Sequence, residues 1–335
     1  MSHYKENDSK SQKEAYLNEY KGHLFEFLLA RLIARDALVE KNFFSQIHPS
    51  LLKRFKTYEA EIRKLDSELL KALPKLSREA FSNLKKELPR EIRQVHVLGK
   101  LMGASQNSSL GESDLVLVSK EKVLPLSLKL CRFGAFVNTK SGGIKSFIKK
   151  YFSDFDEALF MQNNLNLKID AFFNALISEL TEINQLETSI PFKDAWRKKG
   201  LSELPGELSK KNRERIYQYY NEIINELYKS LEKFKNENSE VFKHVLKPLL
   251  GFSHDDMWRV ICFYKNELRC PYNFSGLNLT RADELDKLKL VLHPPKEDLS
   301  SFVLKTSKFE FQIRVKPMNK FTAPALKVNC SVRFL

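Results

Sequence analysis

The sequence predicts a protein of mixed α and β structure with more helix than strand. Three observations support this fold class. Several long stretches repeat apolar residues at helical spacing, two apolar runs in mid-chain flank a short charged break, and two C-terminal runs alternate apolar with polar residues. The 335 residues are enough for two or three domains, and 42% apolar with 29% charged residues is typical of a globular chain.

Helical spacing of apolar residues is clearest near the N-terminus. One apolar stripe within 12–44 is formed by Leu17, Tyr20, Leu24, Leu28 and Leu32. The same pattern predicts further helices at 50–72, 77–88, 156–186 and 208–235. Ser253 and Asp256 are spaced as a helix N-cap pair, which predicts another helix over MWRVICFY. Small polar residues and glycines predict a loop in the segment 95–114 and a turn at NTKSGG.

A β-hairpin is predicted between residues 115 and 130. Two apolar runs, 115–118 and 123–130, flank the charged break Ser-Lys-Glu-Lys. In the second run, the period of two places Ser127 and Lys129 on the face opposite three leucines. Asp114 heads the first run, and the turn length permits a register that brings its carboxylate to the same face. The pattern therefore predicts a carboxylate, a hydroxyl and an ammonium group on one patch of a sheet.

Two more strands are predicted at the C-terminus, in the segments FEFQIRVKP and ALKVNCSVRF. Alternation places polar and basic side chains on one face of each strand, and Arg, Lys, Gln and Asn are side chains that read base edges. Because a two-stranded ribbon can enter the major groove, these strands are candidates for DNA binding. The candidate residues are Gln312, Arg314, Lys316, Lys320, Lys327, Asn329 and Arg333.

A basic segment follows the hairpin. From 129 to 150 there are six basic residues and no acidic one, and the pair Gly142-Gly143 precedes a predicted helix whose first N–H groups can hold a phosphate. The alternative interpretation is a solvated, charged helix face. The basic residues are Lys129, Arg132, Lys140, Lys145, Lys149 and Lys150.

The net charge favours an anionic partner, since Lys and Arg outnumber Asp and Glu by 56 to 42, which gives +14. Nucleic acid and an anionic membrane surface are the two candidates. No apolar run approaches the ~20 residues that span a bilayer, and the polar N-terminus lacks the apolar core of a secretory signal, so we expect a cytoplasmic location. The four scattered cysteines predict free thiols and no zinc site.

The predicted hairpin patch suits the hydrolysis of a phosphodiester. That reaction needs a divalent ion to neutralise charge on the phosphate and to activate water. Mg²⁺ prefers oxygen ligands and keeps several waters, so one or two carboxylates suffice. A neighbouring lysine can orient and help deprotonate the water, or stabilise the developing negative charge.

This pattern resembles the PD-(D/E)xK nuclease superfamily, in which an aspartate on one strand is followed by an acidic residue and a lysine on the next. Ser113-Asp114 occupies the Pro-Asp position, and Ser127-Leu128-Lys129 occupies the (D/E)-x-K position. The serine departs from the family pattern, because a hydroxyl does not ligate a metal as a carboxylate does. The resemblance implies that Asp114 holds the metal, that Lys129 serves the water, and that Ser127 supports the site by hydrogen bonding.

A second carboxylate is available from Glu26, in the apolar run GHLFEFLLARL. Burial of an ionised glutamate is costly unless it is paired or bound to a metal. Many enzymes of this family carry a glutamate on the helix that precedes the core sheet, and Glu26 resembles it in order and context. Glu112 is the second candidate for the missing metal ligand.

The resemblance further implies a restriction-endonuclease-like fold, with a central mixed sheet flanked by helices, large helical insertions and a C-terminal β-rich region that contacts DNA. The expected regions are a helical part with Glu26 at 1–94, the nuclease core with the hairpin at 95–186, a helical connector at 187–240, and a C-terminal α/β part for DNA recognition at 241–335. The run RVKPMNKFT…ALKVN is also similar to C-terminal segments of some bacterial restriction endonucleases.

The implied activity is that of a type II restriction enzyme, a Mg²⁺-dependent and site-specific endonuclease for double-stranded DNA. Such an enzyme is paired with a cognate DNA methyltransferase in the same system. If the target is palindromic, its two-fold symmetry favours a homodimer.

Two other functions remain open. Ser127 is compatible with a non-catalytic nucleic-acid-binding protein on a degenerate nuclease scaffold. The long helices predicted at 50–72 and 208–235 are compatible with a helical interaction or membrane-surface protein, although neither concentrates basic residues opposite Trp and Phe as an interfacial helix does. Motifs for phosphate-binding loops, dinucleotide binding and zinc peptidases do not occur in the sequence.

Overall fold

The computed structural model describes residues 10–98, 113–268, 270–318 and 320–335. It contains helices and two five-stranded sheets, which confirms the predicted mixture of α and β structure. The chain forms two compact units. The first comprises the described residues up to 135 together with 251–284, and the second comprises 136–250 with the described residues from 285 to 335.

The helices and strands are numbered in chain order. The helices are α1 (Lys10–Asp36), α2 (Glu40–Gln46), α3 (Pro49–Leu65), α4 (Ser67–Leu84), α5 (Phe147–Tyr151), α6 (Ala158–Asn184), α7 (Phe192–Lys198), α8 (Lys210–Glu237) and α9 (Ser239–Leu246). The strands are β1 (Ile92–Val97), β2 (Leu115–Ser119), β3 (Val123–Arg132), β4 (Val137–Gly143), β5 (Trp258–Glu267), β6 (Cys270–Arg281), β7 (Val291–His293), β8 (Ser301–Lys305), β9 (Phe309–Pro317) and β10 (Leu326–Phe334).

The first unit packs helices against a mixed sheet of order β1-β2-β3-β5-β6. Neighbouring strands are antiparallel except β3 and β5, which run parallel. Leu126, Leu128 and Leu130 share one apolar core with α1, α3 and α4, so the predicted apolar face of β3 is confirmed. Because side chains alternate along a strand, burial of the three leucines turns the side chains of Ser127 and Lys129 to the other face of the sheet.

Two predicted helices of this unit are interrupted. The stretch predicted at 12–44 is divided between α1 and α2, and the stretch at 50–72 ends at Asp66. The Asp66 side chain accepts a hydrogen bond of 2.9 Å from the Leu69 N–H and so caps α4. An N-cap residue has non-helical backbone angles, so Asp66 ends one helix and begins the next. The spacing of apolar residues continues across it, which is why the sequence suggested a single helix.

The predicted helix over MWRVICFY is wrong, because this segment begins strand β5. Its residues from Trp258 to Tyr264 are all buried in the middle of the sheet. A strand buried on both faces reads as a continuous apolar run, which cannot be told from a buried helix by period alone. Likewise NTKSGG lies in β4 instead of a turn, and part of the segment predicted as a loop forms β1.

The second unit is built on an antiparallel sheet of order β4-β10-β9-β8-β7. Helix α8 packs on β8 and β9 and also pairs with α6, so the helices predicted at 156–186 and 208–235 are confirmed. One face of the sheet is apolar and buried. Its side chains are Phe302, Leu304, Phe311, Ile313, Val315, Val328, Cys330 and Val332.

The two sheets join segments that are distant in sequence. The parallel partner of β3 is β5, which lies beyond the whole of the segment 136–250. The boundaries expected at 94, 186 and 240 therefore do not coincide with those of the two compact units. Non-local strand pairing has no signature in a local sequence pattern.

Within the described ranges, no helix combines the length and apolar character needed to cross a membrane. Cys131, Cys262 and Cys330 are free thiols, as predicted. The side chain of Cys270 lies outside the described part of the structure.

Candidate active site

The hairpin of β2 and β3 places Asp114 beside Ser127. Leu115 pairs with Leu126 in the antiparallel register, and the Asp114 N–H donates a hydrogen bond of 2.8 Å to the Leu126 carbonyl oxygen. This register places Asp114 opposite Ser127, as the predicted turn length permits. It follows that the side chains of Asp114, Ser127 and Lys129 lie on one face.

The Asp114 carboxylate accepts three hydrogen bonds at one oxygen, Oδ2. The donors are the Leu128 N–H at 2.6 Å, the Lys129 ammonium at 3.2 Å and the Ser127 hydroxyl at 3.3 Å. The predicted cluster of carboxylate, hydroxyl and ammonium is thus present in the structure. The Lys129 side chain is 36% exposed and that of Asp114 17%, so solvent and a ligand can reach the ion pair.

Glu26 lies on α1 and is only 5% exposed. His23, one turn earlier, has its Nδ1 3.2 Å from Glu26 Oε2, and the His23 ring stacks on Tyr58 with 5.5 Å between ring centroids. Helix α1 packs on β3, and the Glu26 carboxylate acts electrostatically on Asp114 and Lys129. Glu26 is therefore close enough to influence the charges of the hairpin cluster, and its hydrogen-bond partner His23 is a contact that the sequence did not indicate.

The charges in this site shift one another's protonation. Burial raises the pKa of Asp114 to about 6, the Lys129 ammonium acts to lower it, and the Glu26 carboxylate adds to the rise. Burial acts to lower the pKa of Lys129, but Asp114 and Glu26 outweigh it and leave this pKa above the ordinary value. Lys129 is therefore a charged ammonium at neutral pH.

Arg259 is a member of the site that the sequence did not reveal. It pairs with Ser127 across the parallel strands β3 and β5, so both side chains lie on the same face of the sheet. Arg259 is 2% exposed, and burial lowers its pKa to about 10, while Cys131 and Asp114 act in the opposite direction. The sequence showed only an arginine inside the apolar run MWRVICFY. Because this run was predicted as a helix, its pairing with β3 was not expected.

The donor set suits Mg²⁺ more than a softer metal. Asp114 and Glu26 offer carboxylate oxygens only, and Mg²⁺ is held by one or two carboxylates with water completing the shell. The Glu26 carboxylate acts to raise the pKa of Asp114, and a cation held nearby would oppose that repulsion. In the described part of the chain, no three His, Cys, Asp or Glu side chains form a group for a metal ion. Glu112 lies outside the described residues.

The basic segment after the hairpin is distributed over both units. Arg132 ends β3 in the first unit, whereas Lys140 lies in β4 and Lys149 in α5 of the second. Lys145 is held by Asp170 at 2.6 Å. The predicted helix after Gly142-Gly143 is a 3-10 turn followed by the five-residue helix α5, which is too short for a substantial dipole.

The predicted pairing of the two C-terminal strands is confirmed, but they do not form an isolated ribbon. Strands β9 and β10 lie inside a sheet of five strands. Four spacings of about 4.8 Å make such a sheet roughly 19 Å wide, which exceeds the ~12 Å width of the major groove. The strands therefore cannot enter the groove in the way the sequence suggested.

Four of the C-terminal candidates are already engaged inside the second unit. Arg333 pairs with Glu310, and Lys320 pairs with Glu203. The buried Asn329 accepts a hydrogen bond of 2.9 Å from Ser141. In addition, Gln312 donates to Ser301 at 3.3 Å. Arg314, Lys316 and Lys327 form no ion pair with any residue that the structure describes.

Glu203 gives a stability prediction. Hydrogen bonds from Lys320 and Thr322, with a further one from Arg197, lower the pKa of Glu203 to about 2. This contribution to stability is complete above the unfolded-state pKa of about 4.3 and is lost as the pH falls towards 2. Glu203→Gln should cost about 2 kcal/mol in urea unfolding at pH 7 and about half as much at pH 3.

The exposed Glu207 provides the control for this prediction, since Glu207→Gln should change stability little at either pH. An equal loss for Glu203→Gln at pH 7 and at pH 3 would contradict the assigned pKa.

Comparison of the chain with protein-family models, with curated proteins and with solved structures finds no match.

Proposed function

We propose that this protein is a Mg²⁺-dependent endonuclease that cuts double-stranded DNA at specific sites, in the manner of a type II restriction enzyme. The observation that carries the proposal is the ion pair of Asp114 and Lys129 on adjacent strands, with Glu26 acting on both. This is the order and placement of charges that the PD-(D/E)xK resemblance implies. A partly exposed pair of this kind is accessible to a phosphodiester.

The surrounding architecture supports the same family. A helix bearing Glu26 precedes the antiparallel strands β1 to β3, and the sheet is mixed because β3 pairs in parallel with β5. A restriction-endonuclease-like core is likewise a mixed sheet flanked by helices. Fold likeness alone does not establish an activity, so the proposal depends on the site.

Asp114 and Glu26 would hold the metal ion. When bound, Mg²⁺ supplies positive charge that neutralises the phosphate and makes water more acidic. The oxygen-only donor set and the relief of repulsion between two carboxylates favour this placement. The Ser127 hydroxyl donates to Asp114 and helps to fix the carboxylate orientation.

Lys129 has a defined role in this scheme. Its ammonium donates a hydrogen bond to Asp114 and carries the positive charge of the pair. A charged donor beside the phosphate orients the attacking water and stabilises the negative charge that develops on the phosphate oxygens.

Incubation of a long phage or plasmid DNA with the purified protein and Mg²⁺ tests the proposed function. Discrete fragments on a gel are the expected result, because a site-specific enzyme cuts at a fixed set of positions. A smear would show that the protein cuts DNA without sequence specificity, which would contradict a restriction enzyme but not a nuclease. The absence of cutting with either Mg²⁺ or Mn²⁺ would contradict the enzyme altogether.

One observation favours a second function, that of a non-catalytic nucleic-acid-binding protein. Ser127 stands where the family has a carboxylate, and the buried guanidinium of Arg259 adds positive charge beside it. A site with less negative charge binds a cation less tightly and an anion more tightly. DNA binding that weakens with salt, without any cleavage, is the result that would identify this function.

A further inference from the structure

The second sheet carries a row of closely spaced cations. Lys316 on β9 lies directly opposite Lys327 on β10, and Arg314 is two residues from Lys316 on the same face. Paired residues of neighbouring antiparallel strands have Cβ atoms about 5 Å apart. We call Arg314, Lys316 and Lys327 the cation cluster.

The cation cluster lies on the polar face of the sheet. The alternate residues of β9 and β10 are buried in the apolar core of the second unit, so the three basic side chains point away from it. Arg314 is exposed, and Lys316 and Lys327 are partly exposed. A ligand in solvent can therefore contact the cluster.

Two other basic side chains on the polar face of this sheet are neutralised by a carboxylate, and the cation cluster differs from them. Glu310 pairs with both Lys305 and Arg333 at one end of the same face. By contrast, no described carboxylate pairs with a member of the cation cluster. The positive charge of this face is thus concentrated at the end formed by the cluster.

The cluster is unfavourable for the protein alone. Like charges opposite each other on neighbouring strands repel and destabilise a sheet. Burial lowers the pKa of Lys316, and Arg314 and Lys327 lower it further. A bound anion would relieve this repulsion, so the cluster is suited to binding a negatively charged ligand.

The neighbouring residues favour phosphate over base edges as the group contacted. The amide groups best suited to reading bases are occupied, since Asn329 is buried against Ser141 and Gln312 donates to Ser301. The sheet is also too wide to enter the major groove. Cations without free amide groups contact the backbone, which is the same for every sequence.

We propose that the cation cluster of Arg314, Lys316 and Lys327 binds the phosphate backbone of nucleic acid without reading its sequence. The identity of the partner rests on the proposed function. The residues paired with the cluster on neighbouring strands have no apolar side chain. They are Gly143, which pairs with Lys327, Asn329 and Ser301, which pair with Arg314, and Ser141, which pairs with Asn329. The exposed side chains of Leu299 and Met318 stand two residues beyond these rows, so an anionic membrane surface is the competing partner, and the vesicle measurement below separates the two.

Gly143 allows the cluster to be altered without disturbing the fold. It pairs with Lys327 from β4, has an extended backbone with φ −63° and ψ 133°, and has no atom within 4 Å of where a Cβ would lie. The backbone conformation and the space around the Cβ position therefore both admit a side chain there. Gly143→Asp places a negative charge next to Lys327, and Gly143→Asn is its uncharged match.

The test measures binding of the full-length protein to two unrelated duplexes over a range of salt concentrations, with no divalent metal. Each phosphate contact contributes about −0.9 to the slope of log K against log salt, so Lys316→Gln combined with Lys327→Gln should reduce the slope by about 2 on both duplexes. Gly143→Asp should weaken binding about tenfold or more at low salt, while Gly143→Asn should leave it unchanged.

Three results would overturn the inference. One is an unchanged salt slope in the double variant, and another is an equal effect of Gly143→Asp and Gly143→Asn. The third is tighter binding of the wild type to phosphatidylserine vesicles than to DNA, with loss in the double variant, which would assign the cluster to lipid.

The inference and the proposed function can fail separately. If the wild type cuts DNA but the double variant keeps its salt slope, the cluster is not the backbone site and the nuclease stands. If the wild type cuts no DNA and the slope falls as expected, the nuclease fails and the backbone site stands.

Discussion

Replacement of Lys129 by Met is expected to reduce DNA cleavage by about 10²–10³-fold, because it removes the charged donor that stabilises the developing negative charge. The methionine keeps most of the length of the side chain while removing the hydrogen bond to Asp114. DNA binding should change little, since one phosphate contact among several is lost. Single-turnover cleavage at saturating Mg²⁺ and a binding assay without metal would measure the two effects separately.

Lys120 is the matched control for this variant. It lies in the turn of the same hairpin, is exposed, and has no contact with the Asp114 cluster. Lys120→Met should therefore cut at the wild-type rate. Equal rates for the Lys129→Met and Lys120→Met variants would show that Lys129 has no part in the reaction.

Glu26→Gln is expected to raise the Mg²⁺ concentration for half-maximal cleavage by about tenfold or more. The amide keeps an oxygen near His23 but removes the negative charge that acts on Asp114 and Lys129. Loss of a charged oxygen ligand weakens binding of a hard cation. The measurement is the cleavage rate as a function of Mg²⁺ concentration, which separates a change in metal affinity from a change in the maximal rate.

Glu61→Gln controls for the loss of a buried helical carboxylate. Glu61 on α3 is as buried as Glu26 and pairs with Lys64 at 3.1 Å. Both variants remove one charge from the helical part of the first unit. If they shift the Mg²⁺ dependence equally, the effect of Glu26 is structural and it is not a metal ligand.

The alternation of polar and apolar residues was sufficient to predict the core of the candidate site. In β3 the period of two assigned Ser127 and Lys129 to one face, and the short turn restricted where Asp114 could lie. The placement of Glu26 came from its apolar context on α1 together with the family resemblance. These features are local in sequence, or depend on a pairing between adjacent strands.

Arg259 could not be placed in the same way. Its position depends on the parallel pairing of β3 with β5. These two strands are separated in sequence by the whole of the segment 136–250, which belongs to the second unit. The continuous apolar character of β5 also resembles a buried helix. The residue became visible as a neighbour of Ser127 only when the strand partner was known.

The C-terminal strands also show that local alternation predicts a strand but not its neighbours in the sheet. The alternation in β9 and β10 correctly predicted the strands and the shared face of Arg314 and Lys316. It gave no information on β4 and β8, which flank the pair and turn a ribbon into a wide sheet. Nor could it show that Glu203 and Glu310 neutralise nearby cations, because those contacts are long-range or depend on the strand register.

The most direct test of the central claim compares wild type with Asp114→Asn in the same Mg²⁺-dependent plasmid cleavage assay. The asparagine keeps an oxygen that can accept the Leu128 and Ser127 hydrogen bonds, so the hairpin should remain folded while the charge is lost. Discrete fragments from the wild type and intact plasmid from an equally pure Asp114→Asn preparation are the predicted result. Equal cleavage by both proteins, or none by the wild type with Mg²⁺ or Mn²⁺, would contradict a nuclease site at Asp114.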